Sequence, residues 1–124
     1  MSAFITSTLD RSGARRHASR MVFEIAEIHV VAGQEAQFEA AVARAVPLFQ
    51  RAQGCRGMEL QRTVEAPTKY RLVVQWETLE DHTVHFRGSA DFVEWRRLVG
   101  GHFASPPMVE HTARVVAGFS SDVT

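Results

Sequence analysis

Met21–Gly33, MVFEIAEIHVVAG, sets the terms for the rest of the chain. Val22, Ala26, Ile28 and Val30 fall on one side at a period of two, and Phe23, Ile25 and Val31 fall on the other. The pattern predicts a strand that is apolar on both faces, so both faces need covering. Gly33 ends it.

Downstream, Phe38, Val42, Ala45, Leu48 or Phe49, and Ala52 recur at three- and four-residue steps and predict a helix over roughly Gln34–Gln53. Glu35 suits its first turn, where the helix dipole favours a negative charge, and Gly54 supplies the stop. Pro47 cannot donate to the carbonyl of Ala43 and is expected to kink the helix, although the stripe stays in phase across it. Two strands follow, about Cys55–Val64 and Lys69–Glu77. The short connection Glu65-Ala66-Pro67-Thr68 predicts that they form an antiparallel hairpin. Tyr70, Leu72, Val74 and Trp76 share one face of the second strand.

From Trp76 to Trp95, WETLEDHTVHFRGSADFVEW, the chain passes from that strand into two short helical segments separated at Gly88-Ser89. Ser89 is a good N-cap for the second, which carries Phe92, Trp95, Leu98 and Val99 and stops at Gly100-Gly101. Pro106-Pro107 leads into a last strand, Met108–Val116. The order is strand, helix, strand, strand, helix pair, strand. It predicts an α+β, ferredoxin-like βαββαβ fold, a four-stranded antiparallel sheet with helices on one face. The other face is left open, and an open apolar face is an aggregation hazard. A two-fold homodimer that closes two such faces on each other is the expected solution.

The domain is expected over residues 21–117, between an N-terminal extension (1–20) and a C-terminal tail (118–124). The extension holds Arg11, Arg15, Arg16 and Arg20 without sustained periodicity. It reads as a flexible segment or as an arm that folds onto a partner, and composition does not separate the two. Its arginines follow the brief apolar pair Phe4-Ile5, the reverse of a secretory signal. Across the 124 residues, 14 basic and 14 acidic side chains cancel, so no net field favours nucleic acid or an anionic membrane. No apolar run approaches the ~20 residues that span a bilayer. The single cysteine, Cys55, excludes an intramolecular disulfide and a Cys-based zinc site and fits a cytoplasmic location.

The chemistry-bearing residues cluster after Trp76. On a helix, His82 and His85 at i and i+3 share a side, with Phe86 adjacent. Such an imidazole in an aromatic pocket suits proton transfer or substrate orientation, since histidine titrates near neutral pH. The same residues also fit half-buried histidines satisfied by backbone. Trp76 and Trp95 are candidates for the walls of a slot for a flat ring, with Trp95 equally a continuation of the core stripe of Phe92 and Val99. His82, His85, His102 and His111 with Asp81 or Glu110 match no recognised zinc spacing, so no metal is expected. Cys55 has no evident partner for a thiol mechanism, and there is no glycine-rich phosphate loop, serine-nucleophile motif or dinucleotide fingerprint.

EIAEIHVVAGQEAQFEAAV, then GCRGMEL, then VVQWETLEDHTVHFRGSADFVEW resembles the antibiotic biosynthesis monooxygenase (ABM) domain family over about Met21–Val116. The elements that carry the resemblance are the strand-to-glycine run, Gly54-Cys55 after the helix, and Trp76-Glu77 followed by His85. It implies a dimeric α/β barrel and oxygen chemistry on an aromatic quinol or polyketide-like substrate, with O2 as co-substrate and no cofactor. In that scheme His85 handles the proton, and Trp76, His82, Phe86, Trp95 and His111 contact the substrate. Other relatives in the family suggest a non-catalytic small-molecule-binding module. A haem-degrading branch uses an Asn on the first strand with a Trp and a His on the helices. Those places hold Ala26, His85 and Trp95 here, so haem degradation is not expected.

Overall fold

The computed structural model describes residues 21–121; the N-terminal extension and the last three residues of the tail lie outside the described residues. Four strands, β1 (Val22–His29), β2 (Cys55–Arg62), β3 (Lys69–Trp76) and β4 (Met108–Thr112), form one antiparallel sheet in the order β2-β3-β1-β4. Two helices, α1 (Glu35–Gln50) and α2 (Ala90–Val99), complete the α+β, ferredoxin-like arrangement that the sequence predicts. On β1 the alternation divides as expected. Glu24, Ala26 and Ile28 are buried on the helix side, whereas Phe23 and Ile25 are only half-buried on the other.

Helix α1 buries Phe38, Ala41, Val42, Ala45, Leu48 and Phe49, one face of a 3.6-residue repeat. Pro47 lies inside it, and the Arg51 N–H still donates to the Pro47 carbonyl at 3.2 Å. The stripe meets Tyr70, Leu72, Val74 and Trp76 of β3, all buried. Ser89 caps α2 as expected, its hydroxyl accepting from the Phe92 N–H at 3.2 Å.

Strand β2 ends at Arg62 and helix α1 at Gln50, two and three residues short of the sequence reading, and two larger differences bear on the site. Strand β4 stops at Thr112, because Thr112 pairs with Phe23 and only Val22 of β1 lies beyond it. Val115 and Val116 are therefore outside the sheet and 91% and 80% exposed. The segment after β3 is not a regular α-helical turn. Asp81–Phe86 is a π-helical turn, with the Arg87 N–H donating to the carbonyl of His82, five residues back, at 3.1 Å.

A glycine holds this turn in place. Gly54 has φ +77, and a Cβ there would stand 1.9 Å from Oδ2 of buried Asp81. The missing side chain serves the left-handed backbone and the close approach together. Asp81 is fixed further by Gln53 Nε2, which donates to its Oδ1 at 3.1 Å, and by its own N–H, which donates to Thr78 Oγ1 at 3.1 Å. The stop after α1 thus also positions His82.

Candidate active site

Four elements converge on the helix side of the sheet near the end of β3. Strand β1 supplies Glu24, and His111 of β4 is paired directly across from it. Strand β3 supplies Trp76, and the π-helical turn supplies His82 and Phe86. Glu24 and His82 are buried at 6% and 2% exposure, while His111 is half-buried. The group therefore runs from the middle of the sheet to its β4 edge.

The contacts are specific. Trp76 Nε1 donates to Glu24 Oε1 at 3.1 Å, and His82 Nε2 stands 3.3 Å from the same oxygen. On its other side, His82 Nδ1 is 2.8 Å from His111 Nε2. The His82 ring lies face to face on Trp76, with centroids 5.4 Å apart and planes 15° apart. Phe86 packs against Trp76 at 5.4 Å.

Burial controls the charges. It pushes the Glu24 carboxyl up to about 6, against the Trp76 N–H and the nearby Arg87, which pull it down. Burial, then the positive charge of Arg87 and the neighbouring His111, push His82 down to about 4. His111 is lowered by burial and Arg87. Near neutral pH the site therefore holds a buried carboxylate beside two neutral imidazoles, so the Glu24–His82 contact is not an ion pair.

The structure brings together Trp76, His82, Phe86 and His111 of the sequence candidates. Trp95 belongs to the next layer, joined through a chain of rings: Trp76 to Phe86, Phe86 to Phe49 at 5.0 Å, and Phe49 to Trp95 at 5.0 Å. The space between the two tryptophans is filled by these phenylalanines. His85 is exposed, on a different side from His82. The shared side expected of an i, i+3 pair is lost because a π-helical turn is wider than an α-helical one, so three residues advance less far around it. Phe86, four residues after His82, takes the buried side instead.

Glu24 escaped the sequence reading. Its signal was a carboxylate at the one polar position of a period-two apolar row, on the side that the helices cover. Arg87, exposed at the end of the π-helical turn, was likewise visible only once the turn had placed its charge near Glu24, His82 and His111.

A groove of about 400 Å³ opens between α1 and β2, lined by Val46, Phe49, Gln50, Cys55, Arg56, Gly57 and Met58. Its volume is in the range of small-molecule sites. None of the histidines lines it. Among the described residues, no group of three or more His, Cys, Asp or Glu is arranged to hold a metal. No described helix is long and apolar enough to cross a membrane.

Residues 21–98 match the family model for antibiotic biosynthesis monooxygenases. YczJ of Bacillus subtilis (strain 168), an uncharacterized protein, is 42% identical over 91 residues, which make up 73% of this chain and 96% of the relative. The crystal structure of a Bordetella bronchiseptica protein assigned to antibiotic biosynthesis monooxygenases is 58% identical, with a TM-score of 0.77 over 78% of this chain and 99% of that one. SnoaB, a cofactor-independent oxygenase from Streptomyces nogalater, shares the fold at a TM-score of 0.65 and 21% identity, over 79% of this chain and 97% of its own.

Proposed function

This chain belongs to the antibiotic biosynthesis monooxygenase family, and we propose that it oxidises a hydroxylated aromatic, a quinol or polyketide-like ring, with O2 and without a cofactor. A phenolic ring that loses its hydroxyl proton becomes electron-rich enough at a ring carbon to reduce O2. For an anthrone-type substrate, a ring CH2 and O2 give a ring C=O and one water, so one oxygen atom enters the product and the other leaves reduced. The protein has to supply a proton acceptor in a site poor in water. The observation that carries the reading is His82, neutral and buried, stacked on Trp76 beside Phe86.

The active unit is proposed to be a homodimer. Phe23, Ile25 and Val73 are half-buried on the sheet face away from the helices, and Met108 on the same face is 67% exposed. A second copy would cover them. Sedimentation should give twice the monomer mass, and a monomer at micromolar concentration would remove this part of the proposal.

Oxygen uptake by the metal-free protein with a panel of naphthoquinols and anthrones tests the chemistry. Quinone formation is expected, falling by ~10²-fold in His82→Ala, the usual scale for losing a general acid–base. His85→Ala separates the exposed histidine from the buried one. It is expected to change turnover little, and an equal fall would return the proton-handling role to His85. The α1–β2 groove favours a second reading, a non-catalytic small-molecule-binding module, because it is ligand-sized and lies apart from the histidines. Aromatics that bind without any oxygen uptake would select it.

A further inference from the structure

We infer that Glu24, His82 and His111 form a directed proton relay, in which His111 takes the proton from the substrate hydroxyl at the β4 edge and Glu24 receives it in the middle of the sheet. The inference rests on the proposed phenol chemistry for its substrate but on geometry for its direction.

The direction follows from which atoms are able to donate. An indole N–H only donates, so Trp76 Nε1 commits Glu24 Oε1 to accepting. An ionised carboxylate accepts only, so His82, 3.3 Å away, must carry its hydrogen on Nε2. A neutral imidazole has one hydrogen, which leaves His82 Nδ1 bare. At 2.8 Å, that nitrogen requires the hydrogen of His111 to be on Nε2. His111 Nδ1 is then bare, and it belongs to the half-buried member of the row. Every link points inward toward Glu24. The Glu24–His82 contact is long, as catalytic contacts often are before substrate binds.

Transfer shifts each proton by one place. The substrate O–H bond breaks and an N–H forms at His111 Nδ1. The hydrogen on His111 Nε2 moves to His82 Nδ1, and the one on His82 Nε2 moves to Glu24. The products are a phenolate at the outer end, a neutral Glu24, and two neutral imidazoles in the opposite tautomer. Arg87, whose charge acts on all three members, faces a single negative charge before and after the transfer. Cys55, at the start of β2, also feels Glu24, and burial pushes its thiol up. His111 is the catalytic residue in this scheme, and His82 and Glu24 are positioning residues that act through it.

Protonating Glu24 from solvent should produce the same tautomers as the transfer, and this is observable without a substrate. Nitrogen-15 NMR of the histidine-labelled protein from pH 5 to 8 is expected to show His82 and His111 changing from Nδ1–H to Nε2–H together as Glu24 ionises. The change should disappear in Glu24→Gln, which keeps an acceptor for Trp76 but cannot titrate. Tautomers that stay constant in the wild type, or that still flip in Glu24→Gln, overturn the relay. With dithranol, an anthrone, Glu24→Gln and His111→Gln should each lose ~10²-fold in turnover. A joint flip with no turnover on dithranol or any other panel member would uphold the relay and sink the substrate class. Wild-type turnover in Glu24→Gln would do the opposite.

Discussion

Tyr70 and Trp76 stand on the same face of the same strand, each almost wholly buried, and each carries one polar atom into the helix layer. Their polar atoms go to opposite environments. The Tyr70 hydroxyl donates to Glu39 Oε2 at 2.5 Å, and Arg62 Nη2 donates to the same oxygen at 2.6 Å. That carboxylate is paired and lies near water, its side chain 44% exposed. The Trp76 indole instead donates to Glu24, which is buried against the neutral Trp76 and His82 and, among the described residues, has no ion-pair partner in contact, only the nearby charge of Arg87. A buried aromatic whose handle leads outward is anchoring the fold. One whose handle leads inward is holding a charge that folding alone does not call for, because a buried carboxylate costs free energy and a better-packed apolar residue would not.

The difference can be attacked at its inner end first. Gly54→Ala forces a side chain into the space of Asp81 and should displace the π-helical turn that carries His82. The left-handed backbone adds strain. We expect a loss of about 1–3 kcal/mol in chemical denaturation together with loss of the His82–His111 coupling in NMR. A variant as stable as the wild type would break the link between this glycine and the site.

Glu24→Gln sharpens the comparison through pH. The carboxyl is raised from its ordinary 4.5 to about 6 in the folded state, so its contribution to stability is full below about pH 4.5 and lost as pH rises through 6. The variant should therefore gain on the wild type by about 2 kcal/mol between pH 4 and pH 7. His82 works in the other sense. Lowered to about 4, it costs the wild type stability as pH falls below 6.5, and that dependence should persist in the variant. Urea titrations at the two pH values measure both. The smallest effect is expected at the outer end, where Tyr70→Phe should cost about 1 kcal/mol for one hydrogen bond and leave turnover unchanged. A large loss of activity there would erase the distinction.

Much of this was legible in the sequence because it depends on period. The double alternation of Met21–Gly33 marked a strand apolar on both faces, with helices for only one of them, and Ser89 marked the start of α2. The aromatic and histidine composition after Trp76 pointed to the right neighbourhood. The arrangement within it was not legible, for two physical reasons. A π-helical turn has no distinctive period over six residues, so the sides of His82 and His85 were assigned with α-helical spacing. The partner of His82 lies across the sheet, and Glu24 and His111 are brought face to face by strand register, which no local spacing encodes. The end of β4 depended likewise on how far β1 extends, a property of the partner strand.

The relay's outer member rides on a five-residue edge strand that pairs on one side only, while Glu24 sits on β1, paired on both sides, and His82 on the π-helical turn that Gly54 and Asp81 hold in place. Short edge strands fray at a fraction of the free energy of global unfolding. Warming should therefore disconnect His111 from His82 while the core around Trp76 is still intact, so that function fails by local opening before the fold melts. Amide exchange along Met108–Thr112, set beside exchange in β1 and β3, would read the margin between the two events.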